Sequence, residues 1–130
     1  MKNWISFERA GKWLMISLAG LLAFHFLVLV GVVPPEIIWG GQLDSGDSLL
    51  AFEGIAISLT ALFLGLVALR IGRFGSKAES RWVSVAIWLM TAYFLLNTLG
   101  NLASGVGAEN FVFAPFSLLI ALLSLRLAIE

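Results

Sequence analysis

Four apolar runs of about twenty residues each leave this chain few ways to fold: residues 13–33, 49–69, 82–103 and about 112–129. A helix crossing a hydrocarbon layer about 30 Å thick needs roughly 20 apolar residues. In lipid the backbone must satisfy its own hydrogen bonds, which a helix does within one segment. Pro34-Pro35 ends the first run, Asp47-Ser48 offers N-cap side chains to the second, and Ser104-Gly105 breaks the third. Pro115 fits the first turn of the fourth, where its missing N–H would be unpaired anyway. The connections, 34–48, 70–81 and 104–111, are short and favour antiparallel neighbours. The expected fold is all-α, an integral membrane up-down-up-down four-helix bundle forming one domain over residues 1–130. With 60% hydrophobic and 12% charged residues, the chain lacks the polar surface that a water-facing domain of this size needs.

Charge sets the orientation. Lys2, Arg9 and Lys12 lie at or before the first run, Arg70, Arg73, Lys77 and Arg81 between the second and third, and Arg126 in the last turn of the fourth. The other two loops hold only acids: Glu36, Asp44, Asp47 and Glu109. By the positive-inside rule both termini are expected in the cytoplasm. Trp4, Trp13 and Trp82 then mark the inner interface and Trp39 the outer. The first run spans 21 residues, longer than the roughly 7–15 of a signal peptide's apolar region, and reads as a retained span. Orientation and contact with anionic headgroups account for the basic loop 70–81, and residues 2–12 read as an interfacial lead-in.

Composition narrows the chemistry. Without cysteine the chain has no disulfides, thiolate metal sites or redox thiols. One histidine excludes paired axial haem ligands, and a net charge of zero gives no draw to nucleic acid. No metal and no cofactor are expected.

Small residues mark where helices can approach closely in lipid. Gly54, Ser58, Ala61, Gly65, Ala68 and Gly72 recur every three or four positions along the second run, and Ser117, Ala121, Ser124 and Ala128 along the fourth. Ordinary packing inside the bundle explains both rows, and a dimer interface is the alternative.

Polar side chains inside a membrane are costly and face protein or water. At about 1.5 Å per residue, His25 sits about 12 Å from the outer end of its run, Glu53 about 6 Å, Asn97 about 9 Å and Asn101 about 3 Å. Tyr93, Asn97, Asn101 and Ser104 share a helical face, whereas Trp88 points the opposite way, towards lipid. The candidate site is therefore an outer polar pocket of His25, Glu53, Tyr93, Asn97 and Asn101, rimmed by the loop residues Glu36, Trp39 and Gln42. Each member also has a structural explanation, as interhelical hydrogen-bond glue or as a solvated acid favoured near a helix start.

The segments Trp39-Gly40-Gly41-Gln42-Leu43, Phe52-Glu53, Asn97-Thr98-Leu99-Gly100-Asn101 and Glu109 to Pro115 resemble a family of small four-helix bacterial membrane proteins. The resemblance covers nearly the whole chain. It implies the bacterial inner membrane and brings no activity. The family more often has a basic residue where Gln42 stands.

Three functions compete. A non-catalytic membrane subunit or accessory protein is favoured, because no nucleophile motif, phosphate-binding glycine loop or Asp-rich diphosphate motif occurs. Small-molecule or lipid binding and transport through the outer pocket is the second. Small multidrug exporters are four-helix chains of similar length, but they carry an acid in the first span, which this chain lacks. The third is a lipid-modifying enzyme with Glu53 and His25 as acid and base. The expected partners are the lipid bilayer and a second copy or another membrane protein.

Overall fold

The computed structural model describes residues 3–38 and 47–130. It is all-helical, with 79% helix and no strand among the described residues. The helices are α1 (Phe7–Leu29), α2 (Asp47–Arg70), α3 (Arg81–Ala103) and α4 (Ala114–Ala128). A short 3₁₀ turn (Pro35–Ile37) follows α1, and a π-helical turn (Glu109–Phe113) leads into α4. All four helical segments are long and apolar enough to cross a membrane. In the bundle α1 packs on α2 and α4, and α3 packs chiefly on α4, so the α2–α3 side is the most loosely joined.

The outside of the bundle is as apolar as its core. Leu62, Leu89 and Leu96 are 66%, 66% and 67% exposed, while Leu14, Leu18, Val67, Ile87, Met90 and Ile120 are fully buried. A helix apolar all round suits lipid on one side and protein on the other.

Helix ends depart from the sequence reading in three places, each for a local reason. First, α1 begins at Phe7, because Ser6 is its N-cap and Ser6 Oγ accepts the Arg9 N–H at 3.3 Å. The expected lead-in is thus largely helix. Second, α1 ends at Leu29 rather than 33, because Gly31 takes φ 85°. The Gly31 N–H then bonds Val28 O and the Val32 N–H bonds Leu27 O, a Schellman termination. Gly72 (φ 82°) ends α2 the same way, with Gly72 N–H on Leu69 O and Arg73 N–H on Ala68 O. Third, the fourth helical segment starts earlier, at Glu109, with a π-helical turn, while Pro115 sits in the first turn of α4 as expected. With no proline N–H to bond Phe111 O, the preceding turn widens, and the Ala114 N–H reaches back to Glu109 O.

The two small-residue rows fare differently. On α4, Ser117, Ala121, Ser124 and Ala128 are all buried. Thr91 Oγ1 lies 3.1 Å from Ser124 Oγ, and Thr98 Oγ1 lies 3.0 Å from Ser117 Oγ. These hydroxyl contacts join α3 to α4 at two levels, two helical turns apart. On α2, Ser58 and Ala61 are exposed, and a Cβ added at Gly54 or Gly65 would meet nothing within 4 Å. From Gly54 to Gly65 the α2 row is therefore open in this bundle, and of its members Ala68 is buried. The close approach occurs at Gly11 of α1 instead, where an added Cβ would stand 2.5 Å from Cγ2 of Ile71, the residue that follows α2.

The basic end also corrects the sequence reading, because two of its cations are buried. Arg70, 5% exposed, donates to Ala78 O at 3.1 Å, Ser84 Oγ at 3.3 Å and Leu127 O at 3.2 Å. It thereby ties α2 to the following loop, α3 and the end of α4. Arg126 Nε donates to Ile5 O at 2.8 Å, and its Nη1 pairs with Glu130 at 2.8 Å. These guanidinium groups satisfy carbonyls at the ends of chain segments.

Gly11→Ala is expected to lower stability by about 1–3 kcal/mol, the usual cost of overpacking, whereas Gly65→Ala is expected to be near neutral. Thermal unfolding of the two variants in one detergent compares them. Equal losses would show that α2 packs through its glycine row after all.

Candidate functional site

The site is built around one interhelical contact. His25 stands four residues before the end of α1, about 6 Å along the axis rather than the 12 Å expected from a longer helix. Glu53 lies in the second turn of α2. The two side chains meet with His25 Nδ1 2.8 Å from Glu53 Oε2. Both atoms are acceptors when unprotonated, so a proton lies between them. Glu53 is fully buried and the His25 side chain is 14% exposed, so the pair sits out of water. Phe24 packs edge-on to the imidazole, its ring centroid 5.8 Å away.

His25 also lines a cavity of about 130 Å³ in the half of the bundle that carries the acidic loops. Thr60 of α2, Tyr93, Asn97 and Asn101 of α3, and Glu109 and Ser117 supply its other polar groups. Phe24, Phe94, Phe113 and Phe116 supply aromatic wall. The Tyr93 ring lies tilted against Phe63 at 5.4 Å and edge-on to Phe94 at 5.2 Å, which holds the phenol beside the loosely joined α2–α3 side.

Of the five residues expected in the pocket, four line this cavity, and Glu53 is connected to it through His25. The face of α3 that carries Tyr93, Asn97 and Asn101 is not its most buried one. Ile87, Thr91, Phe94 and Thr98 take that role against α4. Ser104 is no part of the cavity lining; its Oγ accepts the Val106 N–H at 3.0 Å and shapes the loop. Of the expected rim, Glu36 is exposed and lies outside the lining, and the neighbouring Ile38 closes the cavity in its place. Trp39 and Gln42 lie outside the described residues.

Glu109 is the main addition to the sequence reading. It is 4% exposed and lines the cavity, although by sequence it belonged to an outer loop. With the helical segment started at Glu109 instead of 112, residues 109, 113 and 116 fall on one helical face, which is the face turned to the cavity. Pro115 hid that signal by suggesting a later start.

The electrostatics are one-sided. No Lys or Arg occurs in residues 13–69 or 82–125, and His25 is the single histidine of the chain. Among the described residues no three His, Asp or Glu groups stand together as a metal site. Ser117 Oγ is engaged with Ala114 O at 3.1 Å and with Thr98, so its hydroxyl bonds within the helix pair and not to His25.

Replacing His25 with Leu leaves Glu53 buried without the imidazole and is expected to cost about 2 kcal/mol, the value of a charged hydrogen bond. Tyr93→Phe, which keeps both ring contacts, is expected to stay within about 0.5 kcal/mol of the parent. Chemical unfolding in mixed micelles reads both, and an unshifted His25→Leu would remove the pair as a stabilising contact.

Comparison with protein-family models, with curated proteins and with solved structures gives no match for this chain, so its function is argued from the geometry of the cavity.

Proposed function

We propose that this chain is a multi-pass protein of the bacterial inner membrane, with both termini cytoplasmic, that holds a small molecule in the outer half of its bundle as a non-catalytic binding subunit. The topology rests on the placement of all eight Lys and Arg residues at one end, and the bacterial setting on the family resemblance. The observation that carries the binding role is the cavity itself. A cavity of about 150 Å³ accepts benzene, so about 130 Å³ suits a compact occupant of similar size. Aromatic wall with a few convergent polar groups is the usual make-up of a ligand site.

Two features favour binding over chemistry and over passage. An acid–base pair is present, but the one serine on the wall is committed to helix contacts. Towards the basic end Leu14, Val67, Ile87 and Leu127 are fully buried and close the bundle with apolar side chains. That plug supports a site reached from one side only.

Native mass spectrometry of gently purified protein tests the reading. The wild type is expected to retain a small bound mass that is lost in Asn97→Phe, which fills the cavity from α3. Bare wild-type protein, or a mass that Asn97→Phe retains, would contradict it.

A further inference from the structure

A second hollow lies against the first. A groove of about 670 Å³ runs along the outside of α1 and the start of α4, lined among others by Gly20, Phe24, Phe113 and Leu119. Its lining is almost entirely apolar. Leu21, Phe24, Phe113 and Phe116 line both hollows, so groove and cavity adjoin across one layer of side chains. The direction of the groove follows from the helices that form it. On α1 Gly20 lies about one turn nearer the basic end than Phe24, and on α4 Leu119 lies deeper than Phe113. The groove therefore descends from the level of the cavity towards the middle of the bundle, as a hydrocarbon chain does below its head group.

The polar groups of the cavity decide the kind of head. Thr60 donates to Ala56 O at 2.7 Å and Ser117 to Ala114 O at 3.1 Å, so both hydroxyls are held within their own helices. The Glu53 carboxyl meets His25 at 2.8 Å, and Glu109 also has a partner within the protein. Tyr93, Asn97 and Asn101 remain: among the described residues nothing offers a hydrogen bond to the phenol or to either amide. Polar groups at membrane depth need such a partner. These three are neutral, and each can both donate and accept. No Lys or Arg occurs in residues 13–69 or 82–125 to receive an anionic head, and the carboxyls, already engaged, call for no added cation. A head of carbonyls alone would leave the oxygens of the amides and the phenol unmet, whereas hydroxyl groups both give and take. Glycerol has as many non-hydrogen atoms as benzene, which a cavity of about 150 Å³ admits, and the cavity here measures about 130 Å³. We propose that the occupant is a neutral single-chain lipid of the monoacylglycerol type, its hydroxylated head against Tyr93, Asn97 and Asn101 and its chain in the groove between α1 and α4. The proposal rests on the reading of the cavity as a binding site and names the class of ligand.

Head and chain are tested separately. A Cβ added at Gly20 meets nothing within 4 Å, so Gly20→Leu fills groove space without displacing a neighbour of the backbone. The protein is placed in phosphatidylcholine nanodiscs, and binding to empty nanodiscs is subtracted. The probes are dodecanoylglycerol, the short-chain butanoylglycerol, dodecyl sulfate and dodecyltrimethylammonium. Dodecanoylglycerol is expected to bind saturably and more tightly than butanoylglycerol, and the two charged amphiphiles are expected not to bind. Asn97→Leu should weaken both glycerides about tenfold, the usual loss where a hydrogen-bonding partner is removed. It should leave thermal unfolding of the empty protein unchanged, because the amide has no partner there. Gly20→Leu should weaken only the long-chain glyceride. Equal binding of either charged amphiphile would overturn the neutral head. Undiminished glyceride binding in Asn97→Leu, or a marked loss of stability in that empty variant, would overturn the amide as a ligand group. A Gly20→Leu effect on both glycerides or on neither would overturn the placement of the chain. Absence of glyceride binding, with another mass still retained in native mass spectrometry, would overturn the ligand class while leaving the binding role. Absence of both would remove the binding role as well.

Discussion

A fully buried glutamate in a bundle of apolar helices is tolerated only with a hydrogen-bonding partner, and much of the acidic half follows from how Glu53 is given one. The imidazole of His25 fixes the axial alignment of α1 and α2 at that end. Gly31 ends α1 soon after, so that His25 lies about one turn from the end of its helix and Glu53 in the second turn of its own. With the imidazole anchored on one side, its ring forms wall for the cavity that α3 and the π turn complete. Loss of the pair would leave α2 held at that end mainly by apolar contacts on α1 and by its loose side towards α3.

The two ends of the bundle solve opposite electrostatic problems. At the basic end Arg70 and Arg126 turn their guanidinium groups on backbone carbonyls of neighbouring segments, the partners that a buried cation requires. At the acidic end the buried Glu53 carboxyl meets the His25 imidazole at 2.8 Å, and the buried Glu109 lines the cavity beside them. Between them lies an apolar core with Leu18, Met90 and Ile120 near its centre. The segregation of charge along the chain thus gives one end guanidinium–carbonyl hydrogen bonds and the other a histidine–carboxyl pair.

The architecture was readable because four runs of nearly unbroken hydrophobicity and three short loops admit little else. Helix ends were less readable, because they depend on backbone conformation at single residues. The two prolines at 34 and 35 suggested where α1 stops, but the positive φ of Gly31 stops it sooner. Spacing alone misled on α2, where Gly54 and Gly65 stand at helical intervals with nothing within 4 Å of an added Cβ, while Gly11 carries the close approach. The α3–α4 joint left a signal in the sequence: Thr91 and Thr98 are seven residues apart, as are Ser117 and Ser124, the repeat expected of two facing stripes. Glu109 was hidden because a proline inside a helical segment looks like a beginning, and a widened turn is hard to foresee from composition.

Because His25 is the single histidine of the chain, its imidazole can be observed alone by ¹⁵N nuclear magnetic resonance of histidine-labelled protein in lipid bilayers. A locked pair with Glu53 predicts one tautomeric form with a hydrogen-bonded, slowly exchanging proton on the Nδ1 side, and loss of that signature in Glu53→Gln. An imidazole that interconverts rapidly between tautomers, with the same spectrum in the variant, would contradict the contact on which the cavity is built.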